Sequence, residues 1–284
     1  VATLDRELDV MKRLVREAAA LVVRLRKGDL ELAHKGHDGP VTRADREANE
    51  LVCGGLRAAF PADAVVGEES APTDEELAQW HARHARAFYV DPIDGTREFA
   101  SGSPEYCVMA GLAIDGRARA GVVAIPEEDV LLWGEVARGA FVEPLAGGGA
   151  RRVAIADPAE VGQARAVVSR SHRAANTLDA LDRAGIRSRI PCGSVGVKAA
   201  RLLLGAADVY LHTGRGAKLW DACAPEALVI AAGGRFTTAR GDVIDYRGPL
   251  ALQDGMLAGG ALAHTALKDA ATFDARRSRT KAND

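Results

Sequence analysis

The chain has 284 residues, enough for one large core or two compact domains. It is 48% hydrophobic and 27% charged with a net charge of −2, which excludes broad electrostatic attraction to nucleic-acid polymers or anionic membranes. No apolar run approaches the roughly 20 residues of a membrane span, and the charged, amphipathic stretch 1–25 is unlike a signal peptide. Cys53, Cys107, Cys192 and Cys223 lie far apart and form no Cys-x-x-Cys pair, so they fit reduced thiols in a cytoplasmic protein.

Residues 4–27 carry leucine, valine and alanine at helical spacing between charges and predict a long amphipathic helix. Leu30 to Pro40 reads as a polar loop or short hairpin, and Asp45 to Ala59 as a second helix ending before Pro61. Ala64 to Val66 and Phe88 to Val90 are short buried strands, with a polar helix over Thr73 to Arg86 between them. Tyr106 to Ile114 and Arg119 to Ala124 form strands turned by Asp115-Gly116; Val130 to Val136 and Gly139 to Glu143 extend the antiparallel meander. Gly147 to Gly149 reads as a hairpin tip. It lies outside any strand–Gly-x-Gly-x-x-Gly–helix unit, which sets aside dinucleotide binding.

Past about residue 157 strands and helices alternate. Ala166 to Ser169, Arg187 to Pro191 and Asp208 to His212 read as strands; Ala174 to Ala184, Ser194 to Leu204 and Leu219 to Ala232 read as helices. That rhythm builds a sheet covered by helices. The expected division is an N-terminal α+β domain (1–156) with an antiparallel sheet, a C-terminal α/β domain (157–275), and a polar, disordered tail (276–284).

Carboxylates stand at the ends of three of these elements. In Asp91-Pro92-Ile93-Asp94-Gly95-Thr96, proline holds Asp91 out of the helical region and glycine permits a tight turn, so two carboxylates meet at one mouth. Such a pair repels unless a cation neutralises it, and oxygen-only ligands favour a hard ion such as Mg²⁺. An Asx-type turn is the alternative. Gly67-Glu68-Glu69-Ser70 follows an apolar stretch, where a Glu-Glu pair also reads as solvated surface. Trp220-Asp221 opens an alanine-rich helix closed by Gly233-Gly234, where Asp221 also reads as an N-cap.

Together, Gly67 to Ser70, Asp91 to Thr96 and Trp220-Asp221-Ala222 with Gly233-Gly234 resemble the inositol monophosphatase superfamily in order and spacing, over roughly residues 5–262. The resemblance implies a layered α/β/α/β/α sandwich and a Mg²⁺-dependent, lithium-sensitive phosphomonoesterase acting on a small phosphate ester. It implies that Glu68, Asp91, Asp94, Asp221 and the Ile93 carbonyl hold two or three Mg²⁺ ions, with Glu68 also counted among the catalytic residues. Val41-Thr42-Arg43-Ala44-Asp45 matches the segment whose aspartate partners the turn threonine, so Asp45 would orient Thr96 toward an attacking water. The backbone N–H groups of Gly95 and Thr96 would meet a phosphate oxygen, with Lys35 adding charge nearby. The site should lie in the cleft between the two halves. Relatives of this kind often form homodimers, which the resemblance leaves open here.

Gly95-Thr96-Arg97-Glu98-Phe99 and Val167 to His172 resemble the CysQ-type branch, whose members remove the 3′-phosphate of 3′-phosphoadenosine 5′-phosphate in sulfur assimilation. On that resemblance His172, Ser194 and Lys198 are nucleotide contacts, although Ser194 also reads as a helix cap. The branch carries an arginine after its Ala-Asp-x-Tyr strand; here Ala207 to Leu211 leads to His212, and Arg215 and Lys218 are the cations in position to replace it. An inositol or sugar phosphatase remains the alternative. Pro225 also departs from the pattern and reads as lying in its helix's first turn, where proline is tolerated.

Overall fold

The computed structural model describes residues 3–28, 32–34, 40–170 and 175–280. Helix α1 (Asp5–Arg26) buries Leu8, Met11, Val15 and Val22 along one face. Strands β1 (Ala33–His34) and β2 (Pro40–Val41) pair antiparallel within the segment expected to be a polar loop or short hairpin. Helix α2 (Arg43–Ala59) starts ahead of the expected Asp45. Thr42 is its cap: its hydroxyl accepts from the Asp45 N–H, while the Asp45 side chain accepts from the Thr42 backbone.

The first sheet has seven strands in the order β3-β4-β5-β6-β7-β8-β9. These are β3 (Ala64–Gly67), β4 (Arg86–Asp94), β5 (Cys107–Ile114), β6 (Arg117–Ile125), β7 (Val130–Glu135), β8 (Gly139–Pro144) and β9 (Arg151–Val153). The β3–β4 pair is parallel and the rest is an antiparallel meander. Gly147 to Gly149 lie in the β8–β9 connection, as the sequence predicts. Helix α3 (Asp74–His81) is shorter than expected, because Arg86 already pairs in β4 opposite Ile114 and the chain must turn before it. β4 in turn runs well past the expected Val90, through both motif aspartates. After β4 comes the single turn of helix α4 (Thr96–Ala100).

The second sheet runs β11-β10-β12-β14-β13. Its strands are β10 (Arg165–Ser169), β11 (Ser188–Cys192), β12 (Val209–His212), β13 (Arg235–Thr237) and β14 (Met256–Gly259), and its helices are α5 (Ala175–Arg183), α6 (Val195–Leu203), α7 (Leu219–Ala231) and α8 (Ala261–Thr280). β10, β11 and β12 are parallel, while β13 and β14 join antiparallel. α8 continues through residues 276–280 of the stretch expected to be a disordered tail; residues 281–284 lie outside the described residues.

Alternation along the strands sorts the core into layers. Phe88, Val90, Val108 and Leu112 face α1 and α2, whereas Tyr89, Cys107, Met109 and Leu132 face the opposite way, toward α6 and α7. Val167, Tyr210 and Met256 of the second sheet meet α6 and α7 from the other side, and Ala166, Val168, Leu211 and Leu257 face Leu181 of α5 and Leu267 of α8. The result is the α/β/α/β/α sandwich. Helix α7 is pressed directly onto the first sheet: a Cβ on Gly111 would lie 2.6 Å from the Ala224 nitrogen, and one on Gly121 2.5 Å from the Ala224 oxygen. Pro225 is the seventh residue of α7 rather than part of its first turn, so the helix forgoes the bond from residue 225 to the Asp221 carbonyl.

Candidate active site

The register of β4 against β5 brings the two motif aspartates to one face. Asp91 opposes Met109 and Asp94 opposes Cys107, so three steps along β4 match two along β5. The extra residue is a bulge at Pro92-Ile93, where proline has no N–H for the ladder. Met109 and Cys107 share a face, and the bulge therefore puts Asp91 and Asp94 on that face as well, toward α6 and α7. Asp221 enters from the first turn of α7, where its Oδ2 accepts the Lys218 backbone N–H at 2.7 Å. It is the third residue of the helix rather than its N-cap.

Asp91, Asp94 and Asp221 each offer an oxygen such that all three lie within 4.8 Å of one another. Asp91 and Asp94 are buried, and Asp91 Oδ1 has no hydrogen-bond partner. Burial, and then the charges of Glu68, Asp94 and Asp221, push the Asp91 carboxyl well above the usual carboxylate range. Burial and the neighbouring Asp94 raise Asp221 too. Packed carboxylates with an orphaned oxygen fit a hard cation, which would remove the repulsion and give Asp91 Oδ1 a partner. Glu68, first residue of a short 3₁₀ turn, stands outside this tight triad but lines the same cleft.

Thr96 sits between two acceptors. Its Oγ1 is 3.1 Å from Asp45 Oδ1 and 3.0 Å from the Ile93 carbonyl oxygen. One hydroxyl proton serves one acceptor at a time, so donation to Asp45 leaves the threonine oxygen able to accept from water. Asp45 is fully buried; burial raises its pKa against the lowering effect of bonds from Thr42 and Thr96. Gly95 holds φ +93°, and a Cβ there would come within 2.9 Å of the Glu105 carbonyl oxygen, so the turn requires glycine.

A cleft of about 500 Å³ opens above these groups. Glu68, Asp94, Gly95, Thr96, Ser194, Lys198, Arg215, Lys218 and Asp221 all line it, so residues far apart in sequence converge as expected. His172 and Lys35 lie outside the described residues. Ser194 caps α6, the second of its two expected readings, accepting the Val197 N–H at 3.1 Å; unexpectedly, its hydroxyl also donates to Asp94 Oδ2 at 2.5 Å. Lys198 is 3% exposed, its Nζ donating to the Ser194 carbonyl. Sequence reasoning missed Glu98, Ser169, Tyr210 and Trp220 in the lining, and the Gly196 N–H, which donates to Asp94 Oδ2 at 2.7 Å. A backbone donor leaves no side-chain signal; Thr42, by contrast, was readable as the start of a capping box.

The inositol monophosphatase family profile matches residues 4–278. The chain belongs to the inositol monophosphatase family. Within it, the curated relatives bear out the CysQ-type resemblance. Human 3′(2′),5′-bisphosphate nucleotidase 1 is 29% identical over 277 residues, covering 84% of this chain and 86% of that protein. The 3′(2′),5′-bisphosphate nucleotidase CysQ of Escherichia coli K12 is 31% identical over 244 residues, covering 84% and 93%. Among solved structures, the extragenic suppressor protein suhB of Bartonella henselae superposes with a TM-score of 0.79 at 24% identity, covering 94% of this chain and 98% of that one. The inositol monophosphatase of Anabaena sp. PCC 7120 gives 0.76 at 22%, covering 96% and 97%. These likenesses confirm the family fold. Among the described residues of this family member, no helix is long and apolar enough to cross a membrane, and all four cysteines are free and buried.

Proposed function

We propose that this chain hydrolyses the 3′-phosphate of 3′-phosphoadenosine 5′-phosphate, giving AMP and phosphate, with Mg²⁺ held by Asp91, Asp94, Asp221, Glu68 and the Ile93 carbonyl. That it is a phosphoric monoester hydrolase follows from its family and from relatives over most of its length. The observation that carries the metal reading is the carboxylate triad, within 4.8 Å, at the edge of a cleft that also presents cations. When bound, Mg²⁺ supplies charge neutralisation for the phosphoryl group and makes a water more acidic.

The remaining work belongs to the chain's own residues. Thr96 accepts the proton of the attacking water at Oγ1 while passing its own to Asp45 Oδ1. Burial raises the Asp45 pKa above its ordinary value, which makes the carboxylate a better acceptor for that proton. The water oxygen bonds to phosphorus as the ester P–O bond breaks, and the leaving 3′-oxygen collects a proton from solvent. Lys198, Arg215 and Lys218 all line the cleft, a set of cations suited to an ester bearing a second phosphate.

A second reading, an inositol or sugar phosphatase, is favoured by one feature: His212 lines the cleft where the branch carries an arginine. The deciding experiment measures Mg²⁺-supported phosphate release from 3′-phosphoadenosine 5′-phosphate and inositol 1-phosphate side by side, with and without lithium. Strong preference for the nucleotide is expected. Faster turnover of inositol 1-phosphate would keep the metal site and overturn the nucleotide assignment.

A further inference from the structure

Ser194 holds a conformation that serine rarely adopts, φ +53° with ψ 134°, at the start of α6. Such backbone geometry is strained and persists only where its surroundings impose it. Here it directs a hydroxyl at Asp94. Ser194 Oγ donates to Asp94 Oδ2 at 2.5 Å, the Gly196 N–H donates to the same oxygen at 2.7 Å, and the Cys107 thiol approaches it at 3.8 Å. Ser194 is 6% exposed and Asp94 8%. The Ser194 hydroxyl has one proton, committed to Asp94, and its oxygen already accepts the Val197 N–H. Little is left of this side chain for a substrate to bind.

We propose that Ser194 is a positioning residue for Asp94, not a nucleotide contact. Its hydroxyl and the Gly196 N–H clamp one carboxylate oxygen against the start of α6, leaving the other to serve the cation. The clamp joins the two sheets' territories, since Asp94 ends β4 of the first and α6 follows β11 of the second. The negative charge also sits at the positive end of the nine-residue α6 helix, a favourable pairing. Outer partners of this kind fix the orientation of a ligating carboxylate.

This inference rests on the metal reading above, and its test needs no substrate. Calorimetric titration with Mg²⁺ alone compares the unaltered protein with Ser194→Gly and Ser194→Ala. Glycine tolerates a positive φ better than any other residue, so that variant follows the backbone path more readily than alanine. Mg²⁺ affinity should fall roughly 10- to 100-fold in both. At saturating Mg²⁺, KM for the phosphate ester should stay within about twofold, because only metal binding has been lost. Unchanged Mg²⁺ affinity in Ser194→Gly overturns the inference, and a raised KM without a change in Mg²⁺ affinity makes Ser194 a substrate contact instead. Failure of the unaltered protein to bind Mg²⁺ would overturn the metal reading and this inference together.

Discussion

Asp91 and Asp94 would point to opposite faces of a regular strand; the bulge at Pro92-Ile93 turns them the same way. Each neighbour of that turn then has its own part, and substitutions should separate them. Asp94→Asn removes ligand charge and should abolish turnover while weakening Mg²⁺ binding by more than the ~10- to 100-fold typical of outer partners. Thr96→Ala should leave Mg²⁺ binding intact and lower kcat by about 10²- to 10⁴-fold, the usual range for a lost proton-transfer group. Metal titration and steady-state kinetics on both variants check this. A near-normal kcat in Thr96→Ala would remove its role in activating water. The carboxylates and Thr96 were legible because the turn chemistry is local and the acids occur in the family's order. The role of Ser194 was not, since it depends on the approach of α6 to β4 across 100 residues of sequence.

At the scale of elements, α7 matters most, because its seating places Asp221. Two glycines permit that seating. In Gly111→Ala the new Cβ would meet the Ala224 nitrogen at 2.6 Å and the Cys223 carbonyl carbon at 2.8 Å, both backbone atoms that cannot swing aside. The helix would have to lift, costing about 1–3 kcal/mol of stability and weakening Mg²⁺ binding through Asp221. Denaturant melts and a Mg²⁺ titration test this; a variant with unchanged stability and affinity would show that α7 has slack. The segment just before α7 offers a separate test. Thr213 is held to α5 by Thr177 at 2.8 Å, and Ala217 accepts the Leu252 N–H, so Arg215 rides on a loop tied at both ends. Replacing Arg215 and Lys218 with alanine should raise KM for a bisphosphate several-fold more than for a monophosphate. Equal effects would show that they do not read the second phosphate.

Elements with strong periodicity, such as α1 and the β5–β8 meander, were legible to within a residue or two. Others were not, for identifiable reasons. β14 is buried between β12 and β13, yet Met256-Leu257-Ala258-Gly259 has no β-branched residue to mark a strand. β9 and β13 are three residues each and lie at sheet edges, too short for alternation to show. α3 lost its last turn to strand pairing, a competition that propensity does not weigh.

Across the whole molecule, the middle helical layer contains a charge unconnected with the site. Glu226 lies on α7 and is 2% exposed, its Oε2 accepting the Tyr246 hydroxyl at 2.6 Å. Tyr246 is itself buried, and its carbonyl accepts the Tyr89 hydroxyl, so the pair closes the space between the first sheet and the segment after β13. Burial pushes the Glu226 carboxyl up to about 7, outweighing the lowering effects of the Tyr246 bond and the more distant Arg117 charge. The sign follows from proton binding: the folded state holds this proton more tightly than the unfolded chain, whose carboxyl titrates near the ordinary 4.5. Its contribution is therefore complete below about pH 4.5, is lost as pH rises toward 7, and is constant above that. The loss is roughly 3 kcal/mol at about 1.4 kcal/mol per unit. Glu226→Gln keeps an acceptor for Tyr246 and removes the titration. The stability difference between Glu226→Gln and the unaltered protein, from denaturant unfolding at a series of pH values, should grow in the variant's favour between pH 4.5 and 7 and then level off. A difference independent of pH would mean that Glu226 keeps its ordinary acidity, with water reaching it in the middle layer.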